Sequence, residues 1–285
     1  MRNIIRADLY RIFRGRGVYI ILAVVTAFQI LQIASSGRGQ IGVSFEDHSA
    51  ENENNYYETI ITPEGNQIMV YSPPEVIMTG RAAPFKVAEM SDNIIFFLLP
   101  FLVIVAAADF SRGMVKNTIA GGTSRTKYYA SKLILSGLIC IALFLVYIIV
   151  PIIGGTIING FGGSFDLEFL GELIKVYLPQ LFLIFAYACI GMFITFTLKS
   201  KAALISIYLA CTFVPSLLIF ITGSFNDRIY NLANYLIPAN IQSFGYPEGM
   251  MPVDADLTRA LILGGLYILT CTIGGILLFR KAEIK

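Results

Sequence analysis

The sequence predicts an all-α integral membrane domain with six transmembrane helices. Three observations carry that prediction. First, six long apolar stretches run through the 285 residues, roughly Val18–Ala34, Asn93–Ala108, Leu133–Ile158, Leu173–Leu198, Ala202–Thr222 and Leu261–Phe279. A helix needs ~20 predominantly apolar residues to cross the ~30 Å hydrocarbon core of a bilayer. Second, hydrophobic residues make up 56% of the chain and the mean hydropathy is +0.70, too apolar for a soluble domain of this size. Third, the basic residues fall almost entirely on one side of the stretches.

With the N-terminus inside, the inner segments hold Arg2, Arg6, Arg11, Arg14 and Arg16, then Arg112, Lys116, Arg125, Lys127 and Lys132, then Lys199 and Lys201, and finally Arg280, Lys281 and Lys285. That is 15 of the 21 basic residues, against only Asp8, Asp109 and Glu283 among the 19 acids. The positive-inside rule therefore predicts a multi-pass protein of the cytoplasmic membrane with both termini in the cytoplasm. A cleaved signal peptide is the competing reading of the first stretch. Ile33-Ala34-Ser35-Ser36 is a poor cleavage site, and the run is longer than a usual signal core.

Residues 1–16 read as an interfacial helix. Ile5, Leu9, Ile12 and Phe13 share one stripe, and Arg11 and Arg14 lie opposite; Arg6 belongs to the same helix. Such a helix lies in the inner interface, where anionic lipid attracts its arginines. Gly15 and Gly17 allow a bend into the first span. Residues 35–91 form the longest polar segment and are placed outside. Short β-like pieces at Gln40–Phe45 and Gln67–Tyr71 flank an acidic run of Glu46, Asp47, Glu51, Glu53 and Glu58. Two readings stand: a solvated loop, or an outer lip that meets cationic or amphipathic cargo. His48 stands alone there, and a metal site needs several ligands, so no metal is expected.

Residues 109–127 form a cytoplasmic region. Gly113 and Gly121-Gly122 bracket a short helical piece, Met114–Ala120, and a basic tail leads to Lys132. Beyond it the third span reads as breaking at Pro151 and Gly154-Gly155. Phe165–Glu172 begins a helix that runs into span four. Pro100, Pro151, Pro179 and Pro215 lie within spans and are candidate hinges, with simple packing geometry as the plainer reading. In the outer segment 223–257, Ile229, Leu232, Ala233, Leu236 and Ile237 sit at helical spacing, and Pro238 ends that pattern. A re-entrant element is expected there. Tyr10, Tyr19, Tyr128, Tyr129 and Tyr177 lie near span ends and take the interface-anchor role in a chain without Trp. Cys140, Cys189, Cys211 and Cys271 all lie in apolar spans, so no disulfide framework is implied.

Several function classes are excluded. No ionisable pair sits mid-span, where ion-coupled carriers place one. No G-x-x-x-x-G-K-[ST] occurs, so the chain hydrolyses no ATP through a P-loop. One His leaves no Ser/His/Asp constellation, and no catalytic residue is assigned.

The connector resembles that of the permease subunits of ABC-2 type transporters. In that family an acidic residue ends the second span, followed by a Gly-Thr, a short coupling helix, a Ser-Arg and a Lys at the third span. Here these positions hold Asp109, Gly113-Met114, Val115–Ala120, Ser124-Arg125 and Lys132, with Asp for the usual Glu and Met for the usual Thr. The interfacial helix, the six spans and the short basic tail extend the resemblance over the whole chain. It implies a single ABC-2 type transmembrane domain over residues 1–285. It also implies an ATPase-coupling site at Asp109, Arg112, Gly113, Met114, Val115, Lys116, Asn117, Thr118 and Arg125.

The implied activity is that of a permease, not an enzyme. ATP and Mg would belong to a separate nucleotide-binding subunit, and this chain would hold no cofactor. A second permease copy would complete the pathway, a homodimer being preferred and a heterodimer the alternative. Nucleic acid is not an expected partner; the bilayer is. The cargo expectation is an amphipathic peptide, of the phenol-soluble-modulin or lantibiotic-immunity kind. The alternatives are export of hydrophobic drugs or lipids, or a non-transporting membrane sensor or enzyme.

Overall fold

The computed structural model describes residues 2–36, 57–61, 67–71, 78–223, 231–245 and 254–282. Helices dominate it, and six of them are long and apolar enough to cross a membrane. That agrees with the six apolar stretches. A short amphipathic helix α1 (Arg2–Arg14) is separated by Gly15 alone from α2 (Arg16–Ser36), the first span. The bend therefore needs one glycine rather than two, and Gly17 lies inside α2. The hairpin β1 (Tyr57–Ile61) and β2 (Gln67–Tyr71) pairs antiparallel, with Tyr57 opposite Tyr71 and Ile61 opposite Gln67. The expected strand at Gln67–Tyr71 is thus present. Its partner is Tyr57–Ile61, and Gln40–Phe45 lies outside the described residues, as do His48 and most of the acidic run.

The last part of segment 35–91 is no loop. Residues 82–88 form α3, with Ala83, Pro84, Phe85, Val87 and Ala88 buried. The chain before it is fixed by backbone bonds, Gly80 N–H donating to Gly160 O and Arg81 N–H to Phe161 O, each 2.9 Å. Gly155 makes room for this approach, since a Cβ there would stand 2.6 Å from Thr79 O. The second span is composite. Its parts are a turn at Ser91–Asn93, α4 (Ile94–Leu102), a single π-helical turn at Val103–Ala107, and α5 (Ala108–Ser111). Pro100 lies just ahead of the π turn, so the helix widens there instead of ending.

After α6 (Met114–Ala120) come the two longest helices, α7 (Arg125–Asn159) and α8 (Leu167–Leu198). The expected break in span three is absent: α7 runs through Pro151 and both glycines. At Pro151 the missing N–H frees the carbonyl of Tyr147, and the Tyr177 hydroxyl donates to it at 3.5 Å. Gly154-Gly155 are packing sites rather than a break, with Ile33 against Gly154. The α8 helix starts where the sequence suggested, capped by Asp166, whose carboxylate accepts the Phe169 N–H at 2.9 Å. Pro179 and Pro215 likewise sit inside unbroken helices, Pro215 in α9 (Lys201–Gly223).

The element after span five differs from expectation. A 3₁₀ turn covers Asn231–Tyr235, and α10 covers Ile237–Gln242 with Pro238 in its first turn. Proline has no N–H to lose there and its φ suits a helix start, so Pro238 opens a helix where the periodicity suggested an end. The last span is α11 (Asp254–Lys281). A core of buried side chains runs through the bundle, centred on α7 and α8. Tyr128, Tyr129 and Tyr177 belong to that core and are not interface anchors, whereas Tyr10 and Tyr19 are exposed. All four cysteines are free, Cys140 and Cys189 buried, Cys271 half-buried and Cys211 exposed.

Candidate functional site

At the end of the bundle that carries α1 and the close of α11, the chain makes a tight elbow between spans two and three. Gly113 adopts φ +67° and starts α6; Gly122 adopts φ +89° after its end. Both conformations are strained for residues with a Cβ, so glycine sets the length of the elbow helix. Val115 anchors α6 in the core, while Arg112, Met114, Lys116 and Asn117 stand exposed. The Thr118 hydroxyl bonds back to Met114 O at 2.8 Å and stays within the helix.

Beneath the elbow lies a network of buried charge. Asp109 is 1% exposed and Lys132 is 1% exposed. Arg11 donates to Asp109 Oδ1 at 2.6 Å, and the Tyr128 hydroxyl donates to Oδ2 at 2.7 Å. Lys132 Nζ pairs with the same Oδ2 and donates to Asp8 Oδ2 at 2.7 Å. Arg11 closes the ring through Asp8 Oδ1 at 3.1 Å. Two carboxylates and two cations cancel, which is what lets the group leave water. Lys132 also stands 5.3 Å from the centre of the Tyr128 ring, and Arg11 donates to Met114 Sδ at 3.2 Å. Burial works against the charge on Arg11, but Asp109 and Asp8 outweigh it and raise its pKa. Four elements (α1, α5, α6 and α7) thus meet on one set of atoms.

An aromatic cluster supports the network. Phe196 at the end of α8 packs edge-on against Phe110, Tyr129 and Phe279, with ring centres 5.3, 4.7 and 4.8 Å away. Arg125 reaches across to the end of α11 and donates to the carbonyls of Arg280 at 2.6 Å and Ala282 at 2.7 Å. These are orphan carbonyls at a helix C-terminus, where a cation also meets the negative end of the dipole.

The residues expected to act together are therefore split. Asp109, Met114 and Arg11 converge. Arg112, Lys116 and Asn117 share the exposed side of the elbow. Arg125 is committed to the last span. The interfacial helix is rotated from its expected setting: Arg11 points into the bundle, whereas Phe13 is 62% exposed and Arg14 hydrogen-bonds Tyr10. Ile12 is buried, Leu9 half-buried and Arg6 exposed. Pairing outweighs the apolar stripe: Arg11 gives buried Asp109 a second cation and Asp8 gives buried Lys132 a second carboxylate. The sequence carried two signals for this. Asp8 stands three residues before Arg11, and Tyr128 four before Lys132, spacings that put each pair on one helix face.

Among the described residues no group of three or more His, Cys, Asp or Glu side chains could hold a metal ion. The fold and the buried network define a multi-pass helical membrane protein, with six candidate spans and a braced elbow between the second and third. The chain belongs to the family described as a protein of unknown function, DUF2705, whose model matches residues 85–285. That match takes in the elbow and Lys132 but not α1 and the first span. No curated protein matches the chain.

Proposed function

We propose that this chain is the permease subunit of an ATP-driven exporter of the ABC-2 type, working in a bacterial cell membrane with both termini in the cytoplasm. A separate nucleotide-binding subunit, carrying ATP and Mg, docks on α6. A second copy of the chain completes the pathway, and the cargo is an amphipathic, antimicrobial or toxin-like peptide. The observation that carries this function is the contrast within the elbow. Its outer face offers Arg112, Lys116 and Asn117 to a partner, while its foot is tied through Asp109 and Arg11 to three further helices. A push on α6 would move those helices together, which is what a permease without its own motor requires. The cargo assignment is supported by the acidic outer run and by spans that carry apolar and aromatic side chains in place of charges.

Co-purification tests the assignment. The chain expressed in its native host should bring down a nucleotide-binding subunit whose ATP turnover depends on the permease. Arg112→Glu and Lys116→Glu should lower that turnover while leaving the amount of inserted protein unchanged. A chain that purifies with no nucleotide-binding subunit, or variants with full coupling, would refute it.

A further inference from the structure

Three buried side chains carry polar atoms that the fold leaves unmatched. Gln29 of α2, Tyr147 of α7 and Gln180 of α8 are each 0% exposed. Among the described residues, neither amide atom of Gln29, nor the Tyr147 hydroxyl, nor the Gln180 amide oxygen meets a hydrogen-bond partner. Gln180 gives its N–H groups to Ala88 O and Ile241 O. Such atoms are costly to bury, and within a bilayer no outside solvent relieves them. Tyr208 of α9 is the contrast: equally buried, its hydroxyl donates to Ile95 O at 2.9 Å.

The three meet where α2 and α8 flank α7. Spans one and three run the same way, and Ile33 of α2 packs against Gly154 of α7. Gln29 is one turn before Ile33, and Tyr147 is two turns before Gly154, on the same helix faces as that contact. The two side chains therefore look across the α2–α7 seam with about one turn, ~5 Å, between their depths. On the α8 side the Tyr177 hydroxyl donates to Tyr147 O at 3.5 Å, and Gln180 follows Tyr177 by one turn. Gln29 stands ~20 Å along α2 from Arg16, so the seam lies in the half of the bundle away from the termini. Half-exposed Asp92, which accepts from Gln242 at 3.0 Å, marks the polar rim at that end.

We propose that Gln29, Tyr147 and Gln180 bind a short file of ordered waters between α2, α7 and α8, so that the first span meets the core through water at this depth. The chemistry of the atoms selects the ligand. Gln29 brings a donor and an acceptor, Tyr147 a hydroxyl that can do either, and Gln180 an acceptor. None of the three carries a charge, and a buried ion would need one to offset its desolvation. All three are closed off from the surface, which leaves room only for a small neutral molecule that both donates and accepts. Water is that molecule, and a buried one makes about three hydrogen bonds. A difference in depth of one turn is also too long for a direct side-chain bond and suits a bridge. The proposal needs only that the six helices cross a bilayer, and it stands whether or not the chain is a permease.

The test is X-ray hydroxyl-radical footprinting of the full chain in nanodiscs, read residue by residue by mass spectrometry. Radicals made from bound water oxidise the side chains that hold it and spare dry ones. Tyr147 should be oxidised in spite of its burial, while Tyr208 should stay unmodified and exposed Tyr10 should mark the upper level. Gln29→Leu should lower the oxidation of Tyr147 towards the Tyr208 level. Gln29→Met repeats the removal with a more adaptable side chain should the first variant fold poorly, and continued protection of Tyr208 reports that the bundle is intact. Wild-type Tyr147 oxidised no more than Tyr208 would overturn the proposal. So would undiminished oxidation of Tyr147 in whichever Gln29 variant keeps Tyr208 protected.

Discussion

The two ends of the bundle solve the same problem with different chemistry. Each must hold short helices against the α7–α8 pair. At the end bearing the termini, α1 and the elbow are held by full charges: Asp8, Arg11, Asp109 and Lys132. At the other end, α3 and α10 are held mainly by neutral donors from α8, with charged side chains only at their margins, Arg259 donating to Asn240 of α10 at 3.0 Å and Arg81 ahead of α3 facing Glu172 at 3.9 Å. The Tyr177 hydroxyl donates to Pro84 O at 2.7 Å, and Gln180 Nε2 donates to Ala88 O at 3.0 Å and Ile241 O at 3.1 Å. A neutral bond to a carbonyl places a backbone at modest net energy. A buried charge ties its neighbours more strictly, because losing one partner strands the others in a low-dielectric core. Under the proposed function, the difference suits an elbow that moves as a unit with its spans and a far end that stays packed.

Removing one charge gives the largest expected effect. Lys132→Met strands Asp8 and Asp109 and should cost ~3–5 kcal/mol. The fraction of protein surviving heat, read by size-exclusion chromatography, would report it. Adding Asp109→Leu should recover much of the loss, since Asp8 and Arg11 still neutralise each other. A double variant no better than the single one would break the comparison, because the network would then not act as a charge balance.

Gln180→Leu should cost less, ~0.5–1.5 kcal/mol, by removing one donor from the carbonyls of Ala88 and Ile241, which still accept from the Ser91 hydroxyl and the Phe244 N–H. A loss equal to that of Lys132→Met would erase the difference between the ends. Arg125→Gln should cost at most ~2 kcal/mol, the range of a cation at a helix C-terminus. It should be seen first as faster proteolysis of the C-terminal tail.

The smallest effect is a matter of pH. The Asp166 carboxyl titrates below an ordinary aspartate because the Phe169 N–H and the Ser164 hydroxyl donate to it. A depressed folded pKa adds stability above the unfolded value, and that stability is lost as pH falls through the folded one. Wild-type protein should therefore lose part of its stability below about pH 4, and Asp166→Ala should lack that component. Identical acid profiles would remove Asp166 as a cap that matters.

The spans were legible because length and hydropathy dominate a membrane helix. The elbow was legible too, since glycines at both ends bracket Met114–Ala120. The charge network was not. Asp8 and Lys132 lie far apart in sequence, and hydropathy reads each as an ordinary inner-side charge. Their pairing turned α1 and placed Arg11 inward, against the apolar stripe. The α3 helix was hidden for a different reason. Seven residues with Lys86 among them are too few for a periodicity, and their burial comes from Tyr177 and Gln180 on a distant helix. Pro238 shows the limit of local rules, since proline suits the first turn of a helix and also stops one, and the residues on its C-terminal side decide between the two.

Cross-linking from the elbow tests the central claim most directly. Asn117→Cys places a thiol on the exposed side of α6 without touching the network below. With a bifunctional thiol reagent in native membranes, it should join the chain to a nucleotide-binding subunit, and a cysteine at exposed Leu217 on α9 should not. No product from Asn117→Cys, or equal product from both positions, would contradict the elbow as the place where a partner drives this protein.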